Sequence, residues 1–210
     1  MFENLDINQQ IALISAGAAL LGSLIGAITS LAAVWLTKKA QASGKISLFA
    51  KIVYSKNPTH KSWGYYKSSD RSGLFMQVSL WLDVINTSGI SRIVRNMNLY
   101  AYAKKSEVAS FVQIQRIGDG ESLILMGDNE SYTLVIPANS ARRFNLEFIL
   151  HEDEISVEKK EFDEIIVVYF DEKDKIHAFH LIDIDRCWVE GSLPLKKGWI
   201  TLNKKCKYAK

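Results

Sequence analysis

Between Asp6 and Lys38 the chain carries no charged residue. Its centre, Ile11 to Leu36, reads IALISAGAALLGSLIGAITSLAAVWL. As a helix those residues span about 39 Å, enough to cross a hydrocarbon core of about 30 Å with some tilt. A buried helix of a soluble protein rarely stays uncharged over such a length, and the rest of the chain is too strand-rich to wrap one. A cleaved leader is also disfavoured. MFENLDINQQ holds acids and no Lys or Arg, and the run is longer than the apolar core of a signal peptide. We therefore expect a tail over 1–10, a transmembrane helix over 11–37 and a short flexible linker over 38–44.

The run is not uniformly bulky. At about 100° per residue, Ser15, Ala18, Ala19, Gly22, Ser23, Gly26, Ala27 and Ser30 gather on one half of the helix. Leu20, Leu21, Leu24, Ile25, Ile28 and Leu31 fill the other half. Lipid is as apolar as leucine, so helices in a bilayer associate through close backbone approach and interhelical hydrogen bonds. Small side chains permit both. Gly22 and Gly26 have the familiar small-xxx-small spacing, and Ala18 and Ser30 extend it. The expectation is a homo-oligomer through this face. A dimer would bury the glycines; a larger ring could turn the hydroxyls toward a lumen, making a pore. No ionisable residue lies in the span, so a charged filter or proton relay has no residues to work with.

Lys38, Lys39 and Lys45 follow the helix, whereas Glu3 and Asp6 precede it. The positive-inside tendency puts the amino terminus outside and the bulk of the chain in the cytosol. Cys187 and Cys206 are then expected as free thiols.

Beyond the linker, apolar residues recur at every second position, the mark of strands with one buried face. In LFMQVSLWLDVIN, Met76, Val78, Leu80, Leu82 and Val84 share a face. RFNLEFIL alternates likewise. IIVVYF, Ile165 to Phe170, is apolar on both faces and reads as a central strand. KISLFAKIVYS, RNMNLYAYA, SFVQIQRI, YTLVIP and KIHAFHLID complete about eight strands, separated by turn signals such as PANS and DEKDK. An all-β antiparallel sandwich or barrel over 45–185 is predicted, followed by a basic segment over 186–210. HEDEISVEKKEFDE reads as a short helix or an acidic loop.

VSLWLDVINTSGISRIVRNMNLYAY, residues 78–102, resembles the paired strands of bacterial immunoglobulin-like sandwiches: a strand ending in Asn, a short turn, then the next strand. IPANSARRFNLEF resembles a later turn and strand of the same folds. The resemblance implies a fold and no functional residue.

The residues speak against catalysis. GxSxG, the phosphate-binding GxxxxGK[ST] loop and CxxC are all absent from the sequence. His177 and His180 would point to opposite faces of a strand, so they make a poor ligand pair. Asp183 and Asp185 share a face without an evident third ligand. Residues 151–185 hold 12 of the chain's 23 acids, a solvated or partner-facing stretch. No metal or cofactor is expected.

One stretch has binding character. Over residues 51–71, Lys56, Lys61, Lys67 and Arg71 interleave with Trp63, Tyr65 and Tyr66. Cations and ring faces together suit an anionic ligand that carries a base, such as a nucleotide or oligonucleotide. They also suit an anionic membrane surface, and an ordinary loop with exposed aromatics would look the same. The basic carboxyl-terminal segment, with Lys196, Lys197, Lys204, Lys205, Lys207 and Lys210, is a further candidate for anionic lipid.

The layout resembles small membrane effectors of bacterial antiphage defence systems, in which a cytosolic sensor domain controls a transmembrane bundle. It implies a non-enzymatic effector in the bacterial inner membrane. The alternative is a single-pass anchor carrying a sandwich that docks another protein.

Overall fold

The computed structural model describes residues 6–53, 63–68, 71–117, 122–125, 132–155, 161–194 and 198–209. The chain divides into two compact units, Met1–Gly44 and Lys45–Lys210.

The first unit is helix α1, Ile7–Ala42. It starts where Asp6 forms a capping box: its carboxylate accepts from the Ile7 N–H at 2.7 Å, and Gln9 Oε1 accepts from the Asp6 N–H at 3.3 Å. It ends where Ser43 turns its hydroxyl and N–H back to the Ala40 carbonyl, at 2.7 and 3.2 Å. The helix thus continues through most of the stretch expected as a linker. Ala40, Gln41 and Ala42 are good helix formers, and nothing before Ser43 and Gly44 interrupts them. Lys39 places its ammonium 4.9 Å from the Trp35 ring. Hydroxyls inside the span bond to their own helix: Ser23 donates to the Leu20 carbonyl, Thr29 to Ile25 and Thr37 to Ala33, each at 2.9 Å. No residue of α1 is buried within this chain. It is the one helix among the described residues that is long and apolar enough to cross a membrane.

The second unit is an antiparallel β-sandwich, open at its edges rather than closed into a barrel. Its strands run β1 (Ile46–Ile52), β2 (Gly64–Lys67), β3 (Leu74–Asn86), β4 (Arg92–Ala103), β5 (Ser106–Ser110), β6 (Val112–Ile117), β7 (Ser122–Leu125), β8 (Tyr132–Ile136), β9 (Ser140–His151), β10 (Glu164–Phe170), β11 (Ile176–Asp183), β12 (Gly191–Ser192) and β13 (Ile200–Thr201). One sheet has the order β12-β2-β3-β9-β6-β7, with β1 beside the far half of β3 and β13 beside β1. The other runs β11-β10-β4-β5, with β8 also beside β4. The strands absent from the sequence reading are β2, β5, β7, β12 and β13. They are short pieces at sheet margins, where too few residues alternate to give a periodic signal.

The core lies between the sheets. Met76, Val78, Leu80, Leu82 and Val84 of β3 meet Leu146, Phe148 and Leu150 of β9 and Val94, Met97 and Leu99 of β4. β10 is central, as its apolar faces predict. Ile165, Val167 and Tyr169 enter this core, while Ile166 and Val168 join a second cluster with Tyr102, Ala178 and Cys206 on the outer face. Two polar clamps cross between the sheets. Gln113 of β6 donates to the Met97 carbonyl at 2.6 Å and accepts from the Tyr132 N–H at 2.5 Å. Asn86, at the end of β3, donates to the carbonyls of Ile90 and Pro137 at 2.8 and 2.9 Å.

The segment after residue 185 is part of this unit. β12 pairs with β2 and β13 with β1. Lys205 then bridges to Phe179, with His180 N–H donating to the Lys204 carbonyl and Cys206 N–H to the Ala178 carbonyl, both at 3.0 Å. Tyr208 packs on Tyr102 at 5.7 Å and donates its hydroxyl to Glu164. This segment therefore ties one sheet to the other across an open edge. Its lysines are spaced by the short apolar anchors Leu202, Cys206 and Tyr208, too sparse to read as a strand.

Candidate functional site

Two sets of residues were singled out by sequence, and the structure places them differently. The helix-packing set, Ser15, Ala18, Ala19, Gly22, Ser23, Gly26, Ala27 and Ser30, lies wholly on the exposed surface of α1. A Cβ built on Gly22 or Gly26 meets nothing within 4 Å.

The anionic-ligand set does not form a free platform. Lys56 and Lys61 lie outside the described residues. Trp63 and Tyr65 are core residues, 3% and 0% exposed. Trp63 Nε1 donates to the Pro194 carbonyl at 3.2 Å, and the Tyr65 ring packs against Trp188 at 5.2 Å. The Tyr65 hydroxyl has the Cys187 thiol as a polar neighbour but makes no hydrogen bond of normal geometry, and burial pushes its pKa far up. These two rings cannot stack on a ligand, and the expectation is corrected for them. The reason is register. Tyr65 pairs with Met76 on β3, so its side chain shares the core face. Alternating aromatic and cationic residues describe a ligand platform and a half-buried strand equally well. Tyr66 is half-buried, 5.9 Å from Phe75. Lys67 pairs with Glu190 at 3.2 Å, and Arg71 with Glu154 at 2.8 Å and Asp153 at 3.8 Å. The acidic stretch is thus in part a partner surface for this chain's own cations.

Sequence reasoning missed a cation–aromatic cluster on the outer face of the larger sheet. The Arg143 guanidinium lies 5.3 Å from the Trp81 ring and 4.9 Å from the Trp199 ring. It also grips Asp83 with two hydrogen bonds of 2.6 and 2.9 Å. These bonds hold the Asp83 carboxyl below its usual range. The cluster draws on β3, β9 and the approach to β13, so no local pattern announces it.

The histidines behave as the alternation of β11 predicts. His177 lies 2.9 Å from Asp171 and stacks on Tyr169, with centroids 4.9 Å apart. His180 lies 3.1 Å from Glu164 and 3.5 Å from Asp183. Each imidazole has its own carboxylates, and among the described residues there is no group of three or more His, Cys, Asp or Glu able to hold a metal ion. Cys187 and Cys206 are free thiols whose pKa values burial pushes up.

Asp171 gives a pH test of this end of the sandwich. Burial raises its pKa, but hydrogen bonds from His177 and from the Lys173 and Lys175 N–H groups outweigh that and bring it down to about 2. A carboxyl depressed in the folded state adds stability above its unfolded pKa of about 3.9 and loses it as pH falls through the folded value. Melting temperature is therefore expected to drop between about pH 5 and pH 2, and Asp171→Asn to make that drop smaller. Thermal melts of both proteins across this window check it; equal drops would contradict it.

No protein-family model and no curated protein matches this chain. A solved structure titled "X-ray structure of Northeast Structural Genomics Consortium target SoR45" is similar over 74% of this chain and 94% of its own, at 11% identity and a TM-score of 0.32.

Proposed function

We propose that this chain is a non-enzymatic, single-pass effector of the bacterial inner membrane. Copies associate through the small face of α1, and the β-sandwich, on the cytosolic side, binds a ligand or partner that biases this association. The observation that carries the proposal is the state of Gly22 and Gly26. They sit mid-helix in an apolar span, and among the described residues a Cβ built at either meets nothing within 4 Å. Glycine costs a helix roughly 1 kcal/mol relative to alanine, and a neighbouring helix backbone is what can use the room gained. The self-satisfied hydroxyls of Ser23 and Thr29 support a close-packed bundle over a water-filled one, because neither needs a lumen to complete its hydrogen bonding. A ligand can shift such an equilibrium only by binding the assembled and separate states with different affinity.

Replacing residues 11–36 with a leucine-rich helix of equal length separates this reading from that of a plain anchor with a docking domain. The effector reading expects membrane insertion to persist while cross-linking between copies is lost. Cross-linking that persists with the new helix would place association in the sandwich and overturn the proposal.

A further inference from the structure

We propose that a cleft at the edge of β11 binds a phosphate ester through Lys175, Lys205 and Lys207. The cleft has a volume of about 390 Å3. One wall is the stretch from Lys175 to Phe179, and the other is Lys205, Cys206, Lys207 and Ala209. Backbone pairing fixes the spacing of these walls: Lys205 bridges to Phe179, and the Cys206 N–H donates to the Ala178 carbonyl at 3.0 Å. The site is therefore preformed, which lowers the ordering cost of binding.

Three lysines line this one concavity. Lys67, Arg71, Arg92, Arg95 and Arg143 each have a carboxylate partner. None of the cleft lysines forms an ion pair among the described residues. The carboxylates nearest Lys175 along the chain are already engaged: Asp174 by Arg95, Glu172 by Arg92, and Asp171 by His177 and the Lys173 and Lys175 N–H groups. A lone surface lysine is merely solvated. Three lining one concavity make a local excess of positive charge, which attracts an anion. Ammonium groups on flexible stems suit a phosphate that presents several oxygens.

The apolar part of the lining defines the rest of the ligand. Ile176 is 39% exposed at the rim, and Ala178, Phe179, Cys206 and Ala209 contribute further apolar surface. A bare inorganic ion would leave that surface wet, whereas an ester with an organic body covers it. The volume falls at the small end of the range for small-molecule sites, about 300–1,000 Å3, so one mononucleotide or one lipid headgroup fits and a polymer does not. This assignment gives the sensing role proposed above a ligand class and rests on it only for its consequence; the binding itself stands on the cleft.

The test uses the full chain in lipid nanodiscs. Adenosine monophosphate is titrated into phosphatidylcholine discs, and in parallel the protein is placed in discs containing phosphatidylglycerol. Binding is read by calorimetry and by protection of Lys175, Lys205 and Lys207 from acylation. Saturable binding of the soluble nucleotide identifies a free phosphate ester; protection by phosphatidylglycerol alone identifies a headgroup. In either case Lys175→Gln with Lys207→Gln should weaken binding about tenfold or more. Lys104→Gln with Lys105→Gln, on the turn after β4, should leave it within about twofold, since the same charge is removed elsewhere. Circular dichroism confirms that both variants fold. The proposal is overturned if neither probe binds saturably or if the two double variants bind alike. Native mass in the same discs reports assembly separately, so loss of this site and loss of the oligomer are read independently.

Discussion

Gly22→Ile and Gly26→Ile are each expected to release single chains from the assembled protein in a membrane. Within one chain the substitutions are benign. A Cβ at either position meets nothing within 4 Å among the described residues, and isoleucine is a better helix former than glycine. Any loss must therefore come from a second molecule whose backbone approaches the glycine stripe. On the scale of interhelical contacts each change should cost about 1–2 kcal/mol, or about 5- to 30-fold in the association constant. Leu20→Ile and Leu24→Ile, on the bulky half, should leave association within about twofold, because the proposed packing turns that half toward acyl chains. Cross-linking at controlled protein-to-lipid ratios measures all four. Equal behaviour of the glycine and leucine variants would remove the small face from the account.

Asn86→Ala is expected to be among the most damaging single changes in the sandwich. The side chain is 1% exposed. Its amide donates to the Ile90 and Pro137 carbonyls, and its oxygen accepts from the Ser88 N–H at 2.9 Å and the Ser88 hydroxyl at 2.6 Å. It thereby joins the end of β3, in one sheet, to the approach to β4 and the exit of β8, in the other. Alanine leaves the Ser88 N–H without its acceptor and takes one donor from each carbonyl, although the Ser88 hydroxyl still donates to the Ile90 carbonyl at 2.9 Å and the Ser140 hydroxyl to the Pro137 carbonyl at 2.7 Å. A loss of about 2–4 kcal/mol, from the buried unpartnered group and the broken link between sheets, is a large share of the stability of about 5–15 kcal/mol that a domain of this kind has. Urea unfolding of the variant should show a lower midpoint with an unchanged slope. A shift under about 1 kcal/mol would show that water replaces the side chain without cost.

The parts of the fold that could be read from sequence are those with a long, repeated signal. The uncharged run gave α1, although its ends lay in Asp6 and Ser43, whose capping bonds no hydropathy pattern records. β3, β9 and β10 announced themselves by alternation or by continuous apolar character. Asn86 was visible as a strand end within an immunoglobulin-like pattern. Its role as a clamp was not, because Pro137 lies far along the chain. The same limit hid Arg143 between Trp81 and Trp199, and hid the cleft that joins Lys175 to Lys205 and Lys207. Trp63 and Tyr65 failed in the opposite way. Their local signal was strong, but only the pairing of β2 with β3 decides that Tyr65 faces the core.

The most direct measurement is the native mass of the full chain released from lipid nanodiscs. The account predicts a mass of two or more copies for the natural sequence and of one copy for the Gly22→Ile, Gly26→Ile double variant. A single copy for the natural sequence, at any protein-to-lipid ratio, would contradict it.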